Sequence, residues 1–179
     1  MIDDYVDTEV TVDDAVIDSG DVWKVVDPVW WSVWIYGTPE RYHSDLAKFS
    51  IPQRHVLAIL WHAAEVNNGG HHQFYFNPTG IVWREALDGF LAIGAPDLAE
   101  VIKQSANVLG GAPALDFDER DKQISPIELG TFDDIDDRYY ERAENLEARL
   151  MDYVRKHRSA FYFSGVVKKP PPAPTLSAD

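Results

Sequence analysis

The sequence predicts an all-α protein, a compact multi-helix single domain, on three observations. Apolar residues recur at three- and four-residue intervals through most of the chain. Six of the eleven prolines (Pro28, Pro39, Pro52, Pro78, Pro96 and Pro126) stand at proposed helix starts, where a missing backbone N–H costs nothing. Glycines at 37, 69, 70, 94, 110 and 111 then close the periodic segments, because a helix C-terminus favours a residue free to turn left-handed.

Residues 1–20 alternate apolar and acidic side chains, and their charge density predicts an acidic, mobile arm, with a short edge strand as the alternative. Val22, Val25, Val26, Val29, Trp30, Val33 and Trp34 follow at close to helical spacing, with Asp27 and Pro28 expected to cap and start the main helix. Thr38 and Pro39 launch a short helix to about Phe49. Ser50, Pro52 and Gln53 then form a capping-box pattern. Val56, Leu57, Leu60, Trp61, Ala63 and Ala64 behind it predict a central buried helix over about 50–69. Asn67, Asn68, Gly69 and Gly70 end that helix, and Phe74, Tyr75 and Phe76 make an aromatic plug.

Asn77 and Pro78 open a helix over 81–93, and Ala95 and Pro96 open another that closes at Gly110 and Gly111. Residues 111–124 read as a polar loop, and residues 125–128 as a second capping box. Thr131 caps a long C-terminal helix over about 131–158, whose inner stripe is Phe132, Ile135, Tyr139, Ala143, Leu146, Leu150, Tyr153 and His157. Phe161, Tyr162 and Phe163 tuck back onto the core, and residues 164–179 end in a proline-rich, flexible tail. The expected organisation is an arm over 1–20, a helical domain over 21–163 and a tail over 164–179.

Thirty acidic against sixteen basic residues leave a net charge of −14. Residues 1–27 and 116–147 each carry a net −8, whereas residues 148–179 carry +4. Direct nucleic-acid binding needs a basic footprint and this chain has the opposite; an acidic surface instead draws basic proteins by long-range attraction. With no cysteine, a disulfide frame and a thiolate metal site are both excluded. The N-terminus lacks a secretory pattern and no run approaches the ~20 apolar residues of a membrane helix, so the expected location is cytoplasmic.

Glu65, Asn67, Asn68, Gly69 and Gly70, then Gln73, Phe74, Tyr75, Phe76, Asn77 and Gly80, resemble the core signature of the DUF4375 family, which includes a DNA-mimic protein. Ala92, Ile93, Gly94 and Ala95 fit the same pattern, and the resemblance covers roughly residues 40–155. His71 departs from it, standing where the family usually places an aromatic residue. The resemblance implies a homodimer and a structural job for Glu65, Asn68, Gly69, Gly70, Gln73, Phe74, Asn77 and Gly80.

On the last helix, Asp133, Asp137, Glu141 and Glu144 step by four, four and three, with Asp134 and Asp136 beside them and Arg138, Arg142 and Arg149 on another flank. Four helical residues rise about 6 Å, while phosphates of one DNA strand step ~3.4 Å along the axis and also rotate about it. A carboxylate row can therefore stand in for a phosphate row. An acidic helix is also an ordinary solvated face, although such a face tends to alternate signs. Like charges at this spacing cost a few tenths of a kcal/mol per pair.

His55, His62, Glu65, His71 and His72 suggest a metal site, yet no HExxH pattern is present and such residues more often serve packing or hydrogen bonding. The tryptophans at 23, 30, 31, 34 and 83 read as core, or in part as a dimer seam. No nucleophile elbow, phosphate loop or dinucleotide fingerprint appears, so neither catalysis nor a cofactor is expected. The expected function is that of an acidic DNA mimic covering the DNA-binding surface of a basic partner such as a transcription regulator. The alternative is an immunity-type protein that neutralises a basic toxin or nuclease, and an enzyme using Glu65, His62 and His71 ranks last.

Overall fold

In the computed structural model, which describes residues 5–171, the longest element is α4 (Ile51–Phe76). It begins where a reciprocal cap permits: the Gln53 N–H donates to Ser50 Oγ, and the Ser50 N–H donates to Gln53 Oε1 at 2.9 Å. Val56, Leu57, Ala58, Ile59, Leu60 and Val66 are buried along it. Its first helical segment ends at the Gly69–Gly70 corner, where the sequence places the stop. Its backbone leaves helical geometry at Gly69 (φ −161°, ψ 29°) and Gly70 (φ 71°, ψ −177°), then resumes to Phe76, so the aromatic cluster is itself helical. Only glycine is at ease in the conformation of Gly70.

The elements on either side follow their caps. The Thr38 hydroxyl accepts from the Arg41 N–H to start α3 (Pro39–Leu46). A 3₁₀ turn (Pro78–Val82) leads into α5 (Trp83–Ala92), and α6 (Pro96–Val108) closes at Gly110 and Gly111, both left-handed. Four of the six proline starts hold. The other two are corrected. Asp21, not Asp27, caps α2 (Val22–Ser32), accepting from the Trp23 and Lys24 N–H groups. Pro28 lies inside that helix, and the carbonyl it leaves without a donor belongs to the exposed Lys24. Pro126 follows the end of a helix, so no second capping box forms.

That helix is α7 (Phe117–Ile124), in the stretch expected to be a loop. The Asp116 carboxylate caps it, and only Arg120 and Ile124 are buried on it, so its polar sequence concealed its period. The long C-terminal helix is likewise two helices. Thr131 lies in a 3₁₀ turn (Leu129–Phe132), and α8 (Asp133–Arg142) and α9 (Leu146–Lys156) are separated at residues 143–145. Asn145, a poor helix former, lies in that break. Each half buries its own stripe, Ile135 and Tyr139 on α8, Leu146, Leu150, Met151, Tyr153 and Val154 on α9.

The expectation of an all-helical chain is corrected by one small sheet. Strands β1 (Val6–Val12) and β2 (Phe163–Lys169) pair antiparallel, Val6 opposite Lys169 and Val12 opposite Phe163. Opposite charges face each other across the pair at Asp7 and Lys168, and Lys169 reaches Asp27 on α2. A short helix α1 (Asp14–Asp18) links β1 to α2, and Arg158 holds it through Asp14 and Asp18 at 2.6 and 2.7 Å. Residues 6–12 and 163–169 thus belong to the folded body instead of an arm and a tail; the proline-rich end from residue 172 lies outside the described residues. The molecule is largely helical, with α2, α5, α7 and α8 packed against α4.

Candidate functional site

Helix α8 begins with three carboxylates in its first turn, Asp133, Asp134 and Asp136, where the exposed N–H groups and the helix dipole favour negative charge. Ile135 and Tyr139 turn inward and fix the helix against the core, which leaves Asp133, Asp134, Asp137 and Glu141 exposed; Glu144 is exposed just past its end. Among the described residues, Asp133, Asp134, Asp137 and Glu144 have no cationic side chain within ion-pair distance, and Glu141 has one loose contact, Arg142 at 3.8 Å. The nearby guanidiniums are engaged elsewhere. Arg138 donates to the Asp134 carbonyl and to Gln104 Oε1, Arg142 donates to the Arg138 carbonyl, and Arg149 faces Asp97 at 3.6 Å. The field is felt at Tyr140, whose hydroxyl is raised above its ordinary pKa by burial and then by the charges of Asp136 and Asp137.

Asp136 does not belong to that row. Its side chain is 16% exposed and turns inward, where Oδ1 accepts from the His71 backbone N–H at 2.9 Å and the His71 ring Nδ1 at 2.5 Å. The other ring nitrogen of His71 meets His62 Nε2 at 3.2 Å. In the tautomer in which His71 Nδ1 donates to Asp136 and Nε2 accepts, His62 donates from Nε2 and keeps a bare Nδ1. That Nδ1 is buried and has no partner among the described residues. Burial, followed by the nearness of His71, holds the His62 pKa well below the ordinary value, so the ring stays neutral. This chain of His62, His71 and Asp136 ties the two halves of α4 to α8 directly beneath the acidic row. It also accounts for the histidine at position 71, which a packing aromatic could not replace as a hydrogen-bonding group.

The signature residues close the corner itself. Glu65 Oε2 accepts from Gln73 Nε2 and Asn77 Nδ2, both at 2.8 Å, bridging the helix across its break. A Cβ on Gly69 would stand 2.1 Å from Gln73 Oε1, and one on Gly70 would stand 2.1 Å from Asp136 Oδ2. At Gly80 it would meet Arg120 Nε at 2.5 Å and the Phe74 carbonyl at 2.9 Å. Phe74 is fully buried, whereas Asn68 is exposed and makes no side-chain hydrogen bond among the described residues. Glu65 is thus committed to two amides and is not grouped with His62 and His71. Among the described residues no three His, Asp or Glu side chains are placed to hold a metal ion.

Sequence reasoning passed over Arg120, which is 1% exposed and donates to the carbonyls of Tyr75, Asn77, Pro78, Ala114 and Leu115 at 2.8–3.3 Å. Burial lowers its pKa to about 10, so it stays charged at neutral pH without a carboxylate hydrogen bond. The signal for it lay only in the carbonyls it satisfies, which the order of residues does not display. Sequence reasoning also passed over a groove of about 510 Å³ beside the acidic row, lined among others by Trp23, Tyr140, Glu144 and Glu147.

None of the helices among the described residues is long and apolar enough to cross a membrane. The family model described as DMP19-like protein matches residues 47–157, which is more than half of the chain. No curated protein and no solved structure matches it.

Proposed function

Since this chain belongs to the DMP19-like protein family, we propose that it is an acidic, stoichiometric DNA mimic. It covers the DNA-binding surface of a basic partner, such as a transcription regulator, and so keeps DNA away. The observation that carries this reading is the row Asp133, Asp134, Asp137, Glu141 and Glu144, exposed on a helix anchored from below and almost free of ion pairs among the described residues. Residues held in one geometry can match fixed cationic groups without being ordered on binding, and unpaired carboxylates keep their full field for attraction.

In this reading the chain acts in the cytoplasm without catalysis or cofactor, as a homodimer. The partner contact uses Asp133, Asp134, Asp137, Glu141 and Glu144, while Asp136 serves the fold. The test is binding of the partner by wild type and by a chain carrying Asp133→Asn, Asp134→Asn, Asp137→Asn and Glu141→Gln. The wild type should lose about tenfold in affinity between about 0.05 and 0.5 M salt, and the neutralised chain should bind more weakly at the low end. Equal affinities for the two chains, insensitive to salt, would rule the row out.

A further inference from the structure

The groove beside the acidic row, at about 510 Å³, lies within the ~300–1,000 Å³ of clefts that hold ligands. Ala64 of α4, Tyr139 and Tyr140 of α8, Trp23 of α2, Glu144 at the break between α8 and α9, and Glu147 in the first turn of α9 line it. Among the described residues no lysine, arginine or histidine does. Its two outer aromatics are large and open, Trp23 at 45% exposure and Tyr140 at 46%. Both are held in place. The Tyr140 hydroxyl donates to the Val66 carbonyl at 2.8 Å, while Trp23 stands edge-on to Trp30, which stacks on Trp61 at 3.8 Å. Tyr139 is fully buried, and its hydroxyl has no hydrogen-bond partner among the described residues.

These features select together what none selects alone. Carboxylates attract any cation, but apolar walls favour a cation carried on a long methylene stem. Aromatic faces favour a flat, weakly hydrated, delocalised cation over a compact ammonium. The side chain that meets all three conditions is arginine. Glu144 belongs to the acidic row and to the groove, so a basic protein lying along α8 brings its side chains to the groove mouth. We propose that the groove receives an arginine-bearing segment of that partner, with the stem against Ala64 and Tyr140 and the guanidinium between Glu144, Glu147 and Trp23. This deepens the DNA-mimic reading and rests on it for the nature of the partner: the row supplies attraction, the groove a preference for arginine.

The test uses the whole chain with a capped tetra-arginine peptide as probe and capped tetra-lysine and spermine as comparators, read by tryptophan fluorescence and by NMR shifts at Trp23. Tetra-arginine should bind at least about fivefold more tightly than tetra-lysine. Glu144→Gln with Glu147→Gln should weaken it about tenfold, Trp23→Leu should reduce the arginine preference, and all chains should keep the wild-type circular dichroism. Equal binding of the three probes, or wild-type binding by the Glu144/Glu147 variant, overturns the arginine site. The two readings fail separately, because displacement of DNA from a partner is tested through Asp133, Asp134, Asp137 and Glu141.

Discussion

Replacing Gly70 with alanine perturbs the corner on which α8 is seated. Gly70 adopts φ 71° and ψ −177°, where a side chain adds roughly 1–3 kcal/mol of backbone strain. The new Cβ would also lie 2.1 Å from Asp136 Oδ2 and 2.9 Å from its Cγ, so the carboxylate must withdraw from His71. It would give up the contacts to the His71 backbone N–H and ring. Hydrogen bonds to a charged group contribute roughly 1.5–3 kcal/mol each, with the lower end apt for a carboxylate that water still reaches. Strain and lost bonding together give about 4–6 kcal/mol, a large share of the ~5–15 kcal/mol that stabilises a typical domain. Urea denaturation of the wild type, Gly70→Ala, Asp136→Ala and the double variant measures this. Once the carboxylate is gone the Cβ has room, so the double variant should cost about 3 kcal/mol less than the sum of the single changes, the two contacts being lost only once. A loss below about 1 kcal/mol for Gly70→Ala, or strict additivity, would refute the reasoning.

Two further outcomes follow from buried groups. His62 is kept neutral in the folded state, while the unfolded chain takes up its proton near pH 6.5, so the unfolded state binds more protons below that value. Stability from this residue is therefore whole above about pH 6.5 and declines below it, by up to about 1.4 kcal/mol per pH unit. His55, lowered by burial, adds to the decline, so His62→Leu should flatten the fall in urea midpoint between pH 7.5 and 5.5 without abolishing it; an unchanged slope would contradict the assignment. Arg120→Met should destabilise the fold by about 3–5 kcal/mol in thermal or urea denaturation by stranding carbonyls at the end of α4 and before α7. Arg120→Lys should recover little of that, because three donors on one nitrogen cannot span the five carbonyls; near-wild-type stability of either variant would count against the role given to Arg120.

Where a local cap decided the structure, the sequence was legible. Ser50, Thr38 and Pro96 mark their helices correctly because caps act within one turn. Signals that depend on distant partners were not. The strand pairing of residues 6–12 with residues 163–169 joins the two ends of the described chain, and β1 alone reads as a charged alternating stretch with nothing to pair with. The polar surface of α7 and the break at Asn145 show that helical periodicity neither requires many apolar residues nor guarantees one continuous helix. In the acidic row, spacing placed Asp133, Asp137 and Glu141 correctly on an exposed face, whereas Asp136 belongs to His71, a contact set by the turn at Gly70. The groove was illegible for the same reason, since it exists only where α2, α4, α8 and α9 meet.

The most direct measurement places labelled duplex DNA and this chain in competition for one basic partner, captured on the immobilised protein and identified by mass spectrometry. The account predicts mutual exclusion, with rising concentrations of the chain releasing DNA and the chain neutralised at Asp133, Asp134, Asp137 and Glu141 releasing far less. A stable ternary complex in which partner, DNA and chain bind together would contradict it.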